Sequence, residues 1–230
     1  MDILRLLYPY VCPVCMEPVA GGKGTVHDKC RKAHIYVTDP YCMRCGRPMR
    51  EEKEYCEQCM GNILPYDAGV CVFLYQSKAG NAIAAFKNSG FSELPLFFAE
   101  SCVKRYSTFI RSTEAAMIIP VPVTPKKMRI RGFNQAEMLA CALSEKTGIP
   151  MCRAVEKVKD TKEQKSLGRA ERQKNLLGTF RVKQEMLTAK SVIVVDDIFT
   201  TGSTVGAMAL TLKKAGVERV YFICAASAHT

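Results

Sequence analysis

The stretch VIVVDDIFTTGST, residues 192–204, joins an apolar run to two adjacent carboxylates and a hydroxyl-rich turn around one glycine. Residues 192–195 are continuously apolar, which predicts a central strand of a parallel sheet that is buried on both faces. Asp196 and Asp197 are expected to emerge at the carboxyl end of this strand, and residues 200–204 to turn the chain into a helix. Ligands of open α/β sheets bind at this edge, so the stretch is a candidate ligand site.

The residue types in this turn suit a phosphorylated sugar. Unpaired amides and the positive end of the helix dipole attract an anion at a helix start, and hydroxyl groups add donors. Gly202 lets the backbone approach the ligand closely. Two carboxylates beside an anion site are explained if they accept hydrogen bonds from neighbouring ribose hydroxyls. Capping of the turn and helix explains any one of these residues alone, but the whole string favours a sugar phosphate.

Metal-ligand residues are concentrated near the start of the chain. Seven of the twelve cysteines fall within the first 59 residues, mostly in pairs separated by two residues. A tetrahedral zinc ion needs two such knuckles brought together, and the short gaps between successive pairs suit hairpins that do this. Sequential pairing predicts two sites, with the ligands Cys12, Cys15, His27 and Cys30 in one and Cys42, Cys45, Cys56 and Cys59 in the other.

Other arrangements of these residues stay open at this point. His34 can replace His27 as a ligand, interleaved pairing can mix the two sets, and reduced thiols or a redox pair are the alternative to metal. Because protein supplies all four ligands of each set, the zinc is expected to be structural. It would fold a segment that is too short to bury a core of its own.

The texture of the sequence changes after residue 64, where the cysteine pairs cease. We therefore predict a zinc-binding domain at residues 1–64 and an α/β domain with a parallel sheet at residues 65–230. An Asn134 and Glu137 capping box and Gly148 bound one helix of that domain. Strands are predicted at residues 70–75, 117–123, 151–157, 179–182, 191–195 and 217–225, and helices at 81–86, 93–109, 134–146 and 203–215.

Charge and hydropathy bear on location and partners. The net charge is +11, and residues 124–175 alone carry thirteen Lys and Arg against six Asp and Glu. The first twelve residues lack the basic start and apolar core of a secretory signal. The sequence has no uninterrupted apolar run long enough to span a bilayer. We expect a cytoplasmic protein without membrane insertion.

Residues 192–204 also resemble the signature of type I phosphoribosyltransferases, in which an apolar strand ends in two acidic residues and a Thr-rich loop. In that family the loop binds the 5-phosphate of phosphoribosyl pyrophosphate, and the acids hold the ribose 2- and 3-hydroxyls. The resemblance implies a type I phosphoribosyltransferase-like fold. The glycine patterns of P-loop and Rossmann proteins are absent. By resemblance, the ribose and phosphate ligands are Asp196, Asp197, Thr200, Thr201, Gly202, Ser203 and Thr204.

Further matches resemble the ComF family of competence-associated proteins. They are VPVTPKKMRIRGFNQA at residues 121–136, the union of cysteine knuckles with a phosphoribosyltransferase-like domain, and a spaced set, Thr161, Gln164, Leu167, Arg172 and Asn175. The resemblance covers nearly the whole chain. It departs from the family at His27, where a knuckle often carries Cys, and at Lys159, where Arg is expected. It implies a role in DNA uptake and natural transformation, with single-stranded DNA and other competence proteins as partners.

Basic residues follow the strand predicted at 117–123 and can gather around a pyrophosphate. Arg131 is the preferred clamp because a guanidinium binds phosphate at two points, and Lys126 joins the phosphate-binding set. A basic run is otherwise a solvated face. The charged segment that contains Gln164, Lys165, Arg169 and Arg172 is predicted to close over the site as a lid or to contact single-stranded nucleic acid.

Two functions remain open from the sequence. One is a ComF-like protein that binds phosphoribosyl pyrophosphate, or a related ribose phosphate, in the service of DNA uptake. The other is an active phosphoribosyltransferase, in which Mg²⁺ and basic side chains neutralise the leaving pyrophosphate while Asp196 and Asp197 stabilise a cationic sugar. Arg131 then joins the two acids as a catalytic candidate. The sequence does not identify an acceptor base, and its three histidines, His27, His34 and His229, suit no Ser-His or Cys-His pair.

Overall fold

The computed structural model describes residues 10–19, 26–31, 34–89, 93–159 and 178–228. Two small cysteine-bearing units lead into a sheet of four parallel strands that is covered by helices. The predicted α/β fold with a parallel sheet is therefore confirmed. Among the described residues, no helix has the length and apolar character needed to cross a membrane.

The strands of the described chain form one main sheet and one ribbon. The strands are β1 (Ala68–Leu74), β2 (Met117–Pro120), β3 (Val155–Lys157), β4 (Phe180–Val182), β5 (Ser191–Phe199) and β6 (Arg219–Ser227). The main sheet has the order β1-β6-β5-β2 with every pair parallel, and β3 and β4 form an antiparallel ribbon.

Helices cover both faces of the main sheet. The α-helices of the described residues are α1 (Asp28–Arg31), α2 (Glu57–Met60), α3 (Lys78–Ser89), α4 (Glu93–Ser112), α5 (Pro125–Arg131), α6 (Gln135–Thr147) and α7 (Ser203–Lys214). Helices α3, α4 and α6 pack on one face, and α7 and the β3–β4 ribbon pack on the other. Residues 192–195 of β5 have no exposed surface, as expected for a strand between two apolar layers.

Irregular segments cover both edges of the main sheet. Residues 35–37 run antiparallel to β1, with backbone hydrogen bonds of 2.8 and 3.0 Å. Residues 150–152 run parallel to β2, with two backbone hydrogen bonds of 2.9 Å. Covered edges protect a sheet from pairing with other chains. The first of these segments also ties the connection between the two cysteine units into the sheet.

The predicted boundaries of α6 agree with the structure. The Asn134 side chain accepts a hydrogen bond from the Ala136 amide at 3.1 Å, and Gly148 ends the helix with a φ of 75°. Asn134 also donates to the Val121 carbonyl at 3.0 Å, which fixes the start of α6 to the end of β2. The other half of the predicted capping box differs, because the Glu137 carboxylate pairs with Arg153.

Three predicted strand bounds were wrong by three residues or more. The strand expected at 151–157 begins at Val155. The strand expected at 191–195 continues to Phe199, because β6 runs beside it as far as the Phe199 and Ser227 pair. The strand expected at 117–123 ends at Pro120, opposite Val195. Asp196 and Asp197 therefore lie within β5, beyond the point where β2 has ended. Because β2 ends at Pro120, residues 196–199 of β5 have no neighbouring strand among the described residues on the side where β2 lies.

Candidate metal centres and anion site

The two cysteine units repeat one backbone structure, thirty residues apart. In each, the residue after the second cysteine of the knuckle donates its amide to the first cysteine's carbonyl at 2.8 Å. That residue has a φ of 61° at Met16 and 64° at Gly46. Isolated bridges then join Val11 to Pro18 and Tyr41 to Pro48. We call the units at residues 10–31 and 41–60 the first and second ribbon.

The structure brings together both sets of ligand residues in the sequential pairing. The ligand atoms of Cys42, Cys45, Cys56 and Cys59 lie within 4.8 Å of one another, as do those of Cys12, Cys15, His27 and Cys30. The Sγ atoms of Cys45 and Cys56 are 3.8 Å apart. Two sulfurs at about 2.3 Å from a tetrahedral zinc ion are separated by about the same distance. Hydrogen bonds from Cys45 and Cys59 hold the pKa of Cys42 well below its usual range. The second ribbon is thus suited to a zinc ion.

The first ribbon uses a histidine as its fourth ligand residue. The Nδ1 atom of His27 lies 3.3 Å from the Cys15 Sγ. The other ring nitrogen, Nε2, lies 3.2 Å from the Pro18 carbonyl oxygen. A proton on Nε2 donated to that oxygen leaves the Nδ1 lone pair for a metal, as in many metal-bound histidines. His34 is exposed and lies outside both groups.

Both ribbons pack on the main sheet rather than standing apart from it. Cys12 and Cys30 belong to the apolar layer under α3, α4 and α6, and Cys42, Cys45 and Cys59 to the layer under α7. Gly46 is pressed against β1, where an added Cβ would lie 2.5 Å from the Val70 Cα. Five of the eight residues of the two groups therefore belong to the same cores as the sheet.

The hydroxyl-rich turn closes into the start of α7. Gly202 has a φ of 76°, and its carbonyl accepts the Gly206 amide at 2.8 Å. The Thr201 Oγ1 and Ser203 Oγ atoms are 2.7 Å apart. Thr200 is exposed, Ser203 is buried, and Thr204 is half-buried. The first amides of a helix lack partners within the helix, so this turn presents donors at the carboxyl edge of the sheet.

The two acids have different surroundings. Asp196 is 9% exposed and lies in register with Cys224 of β6, whereas Asp197 is half-buried. Successive residues of a strand point to opposite faces. Each carboxylate accepts the amide of the next residue, at 2.9 Å for Asp196 and 2.8 Å for Asp197. Burial raises the pKa of Cys224, and its hydrogen bond to Cys71 and the charges of the two acids add to this effect. Of the pair, Asp197 is the more accessible to a ligand.

The basic candidates lie on α5, which follows β2. Thr124 caps this helix by accepting the Lys127 amide at 3.3 Å, and Lys126 is exposed. Arg131 is half-buried, and its Nη1 lies 3.4 Å from the Gln135 Oε1 at the start of α6. The predicted lid residues Gln164, Lys165, Arg169 and Arg172 lie outside the described residues. The same holds for Thr161, Leu167 and Asn175, the other members of the spaced set, and for His229.

Sequence reasoning missed a cavity of about 480 Å³ beside β2. Its floor is apolar, from Pro120 and neighbouring residues, and its rim is formed by α5 and the β3–β4 ribbon. The charged residues of the rim are Glu137, Arg153, Glu156, Lys157, Arg181 and Lys183. None of the lining residues belongs to the acid pair or the turn, so this cavity is separate from the anion site. The signal in the sequence was the pair of basic residues in each of two short segments, at positions 153 and 157 and at positions 181 and 183.

Comparisons with known proteins agree with this architecture. A family model for a double zinc ribbon domain matches residues 3–60, and one for a phosphoribosyl transferase domain matches residues 131–230. Competence protein F of Haemophilus influenzae is 32% identical over 190 residues, which cover 79% of this chain and 82% of that protein. The chain belongs to the ComF family. The predicted union of zinc ribbons with a phosphoribosyltransferase-like domain is thus confirmed, and the match to a double zinc ribbon, together with the two cysteine groups, supports structural zinc in this ComF protein.

Other ComF relatives match over most of their length. The DNA utilization protein YhgH of Escherichia coli strain K12 is 28% identical over 225 residues, covering 95% of this chain and 97% of that protein. Competence protein ComFC of Bacillus subtilis is 25% identical over 215 residues, covering 93% of this chain and 75% of that protein. Each of these alignments covers both the ribbons and the sheet of this ComF chain.

Proposed function

We propose that this ComF protein binds phosphoribosyl pyrophosphate, or a related ribose 5-phosphate, at residues 196–204 in the service of DNA uptake. The observation that carries the proposal is the place of this segment in the sheet. Helix α6, which follows β2, and α7, which follows β5, pack on opposite faces of the sheet. A crevice opens between neighbouring strands where the connections diverge in this way, and ligands bind in it.

The turn supplies the phosphate part of the site. Its left-handed Gly202 and the first amides of α7 suit the 5-phosphate, and the paired hydroxyls of Thr201 and Ser203 add donors. Thr200 and Thr204 flank them. A side chain at position 202 would be strained by the φ of 76°, and its Cβ would lie 2.9 Å from the Phe199 ring, so that the ring would have to shift. Small size at this position keeps the backbone open to the ligand.

The acids supply the ribose part of the site. We assign the main contact with the ribose hydroxyls to Asp197, because Asp196 is the more buried of the two. Asp196 accepts the Asp197 amide and so orients its neighbour. Lys126 and Arg131 are assigned to the pyrophosphate, together with Mg²⁺ brought by that group, because α5 leaves β2 at the same edge of the sheet. We also assign one structural zinc ion to each cysteine group. The ligands are Cys12, Cys15, His27 and Cys30 in the first ribbon, and Cys42, Cys45, Cys56 and Cys59 in the second.

Isothermal titration calorimetry with phosphoribosyl pyrophosphate and Mg²⁺ tests the proposal without knowledge of an acceptor base. Replacing both acids, Asp196→Asn with Asp197→Asn, is expected to weaken binding about tenfold to a hundredfold. Hydrogen bonds to a charged group contribute about 1.5–3 kcal/mol each. The control, Glu185→Gln, removes one charge at an exposed position away from the site and should leave the affinity within about twofold. Equal affinity in the double variant and the control would contradict the assignment.

A second function, contact with single-stranded DNA, is favoured by the basic surface beside β2. Lys126, Lys127 and Arg129 are all exposed on α5, and the cavity beside them has an apolar floor and a mainly basic rim. Single-stranded nucleic acids bind to positively charged grooves through the charge of their backbone. The relatives named for competence and DNA utilization support this use. Turnover as a phosphoribosyltransferase remains compatible with the same ribose site.

Charge reversal on α5 tests the contact with DNA. The variant Lys126→Glu with Lys127→Glu is expected to weaken binding of a labelled oligonucleotide and to make the salt dependence shallower. Each lost phosphate contact lowers the slope of log affinity against log salt by about 0.7. The matched control is Lys214→Glu, an exposed lysine at the far end of α7, at the opposite edge of the sheet. Fluorescence anisotropy between low and moderate salt measures both quantities, and an unchanged slope in the α5 variant would exclude this surface.

A further inference from the structure

Arg47 in the second ribbon differs from the equivalent residue of the first ribbon in its charge and in its contacts. The equivalent residue is Glu17, which is exposed and pairs with Lys29 at 3.0 Å. Arg47 is half-buried, and its guanidinium carbon lies 5.9 Å from the centre of the Phe199 ring. Its Nε is buried and has no hydrogen-bond partner among the described residues. The repeat therefore places a cation against the end of β5.

Phe199 connects this cation to the turn that follows β5. Its ring stacks on Phe222, with centres 5.0 Å apart and planes 4° from parallel. Two of its ring atoms lie 2.9 and 3.1 Å from where a Cβ of Gly202 would be, and the Tyr66 hydroxyl lies 3.3 Å from that point. Gly202 thus packs against a layer of aromatic rings. Phe199 is the central ring of this layer, and the Arg47 guanidinium lies over it.

The zinc site fixes the backbone from which Arg47 extends. Arg47 follows the ligand Cys45 by two residues, and its carbonyl accepts the amide of the ligand Cys42 at 2.9 Å. A metal bound by both cysteines therefore limits the movement of the Arg47 backbone. The same ribbon is anchored on β1 through Gly46. Both restraints aim the guanidinium at Phe199.

We propose that Arg47 is a positioning residue for the anion site, so that the second zinc ribbon forms a wall behind the turn at residues 200–204. Arg47 holds the Phe199 ring through a cation–π contact, and the ring holds Gly202 in its left-handed conformation. The proposal deepens the proposed function and rests on it for its ligand. It assigns to the second ribbon a task that the first ribbon, with Glu17 at the equivalent position, does not share.

The test compares Arg47→Met, which keeps an apolar side chain of similar reach, with Arg47→Lys, which keeps the charge, and with Arg50→Ala. Arg50 is an exposed residue of the same ribbon. Calorimetry with phosphoribosyl pyrophosphate is expected to show about three- to tenfold weaker binding for Arg47→Met, the range for loss of a partly desolvated cation–π contact. Arg47→Lys should recover part of the loss, and Arg50→Ala should change the affinity less than about twofold. Zinc content should stay at two ions per chain in all three.

Hydrogen exchange of the amides at residues 201–205 supplies a readout that needs no ligand. Faster exchange in Arg47→Met than in Arg50→Ala supports the positioning role even if the wild-type protein fails to bind phosphoribosyl pyrophosphate, a result that would overturn the proposed function alone. Equal exchange and equal affinity in these two variants would overturn the role of Arg47. A second variant, Phe199→Leu, serves if Arg47→Met loses zinc, because it leaves every zinc ligand in place. It is expected to give the same faster exchange at residues 201–205. Unchanged exchange in Phe199→Leu would overturn the role of Arg47.

Discussion

Replacing Cys45 with serine is expected to remove one of two zinc ions per chain and to lower the thermal midpoint by about 10 °C or more. Cys45 is 1% exposed and belongs to the apolar layer under α7, so its loss affects the core as well as the metal. Structural zinc contributes about 10 kcal/mol or more to folding in zinc-finger peptides, and 1 kcal/mol corresponds to about 2–4 °C in a chain of this size. Metal analysis by atomic emission and thermal denaturation followed by circular dichroism measure the two effects.

The matched control for this variant is Cys141→Ser. Cys141 is a half-buried thiol that belongs to neither ligand group, and burial raises its pKa. The Cys141→Ser variant should keep both zinc ions, and its thermal midpoint should change by a few degrees at most. Retention of two zinc ions in Cys45→Ser would show that this cysteine is not a ligand, and the grouping of the second ribbon would then be wrong.

Features that depend on neighbouring residues could be predicted from the sequence. Asn134 and Gly148 mark the two ends of α6, because a capping side chain and a left-handed glycine act within one turn of the helix. The apolar run at 192–195 predicts a buried parallel strand, because only a strand covered on both faces is apolar without alternation. The spacing of the knuckles likewise indicates which cysteines can share a zinc ion, since each pair is formed by one short turn.

The length of β5 could not be predicted in the same way. Its last four residues, 196–199, are strand because β6 lies beside them, and β6 is about twenty residues further along the chain. This extension also decides how the acids are oriented. Within a strand, Asp196 and Asp197 point to opposite faces, whereas in a loop both could turn toward one ligand. An orientation that depends on a distant partner strand leaves no mark in the local pattern.

The packing of the ribbons on the sheet was also missed, although the sequence contains a signal for it. Ile35, Tyr36 and Val37 form a short run of residue types that favour strands, between the two ribbons. The run was too short to be predicted as a strand, and it pairs with β1 only because that strand is the edge of the sheet. A domain boundary at residue 64 does not predict the packing of the second ribbon on the sheet, which brings Arg47 to Phe199.

Replacing Gly46 with alanine is expected to destabilise the protein by about 2–4 kcal/mol, because the new Cβ has no space. It would lie 2.5 Å from the Val70 Cα and 2.8 Å from the Cys71 amide nitrogen. Both are backbone atoms of buried residues of β1, which is held between β6 and residues 35–37. Overpacking of a well-packed interior costs about 1–3 kcal/mol, and the left-handed conformation adds about 1 kcal/mol for a residue with a side chain. Urea denaturation measures the difference in the free energy of unfolding.

Two comparisons separate the steric cause from the backbone conformation. Gly61→Ala, at the residue that directly follows the second ribbon, is the matched control, since an added Cβ there meets no atom within 4 Å and the φ is −96°. It should change the stability by less than about 0.5 kcal/mol. Met16 has the equivalent left-handed φ of 61° in the first ribbon and carries a full side chain, so the conformation alone does not require glycine. If Gly46→Ala is no less stable than Gly61→Ala, the second ribbon does not lie against β1, and the wall behind the anion site loses its anchor.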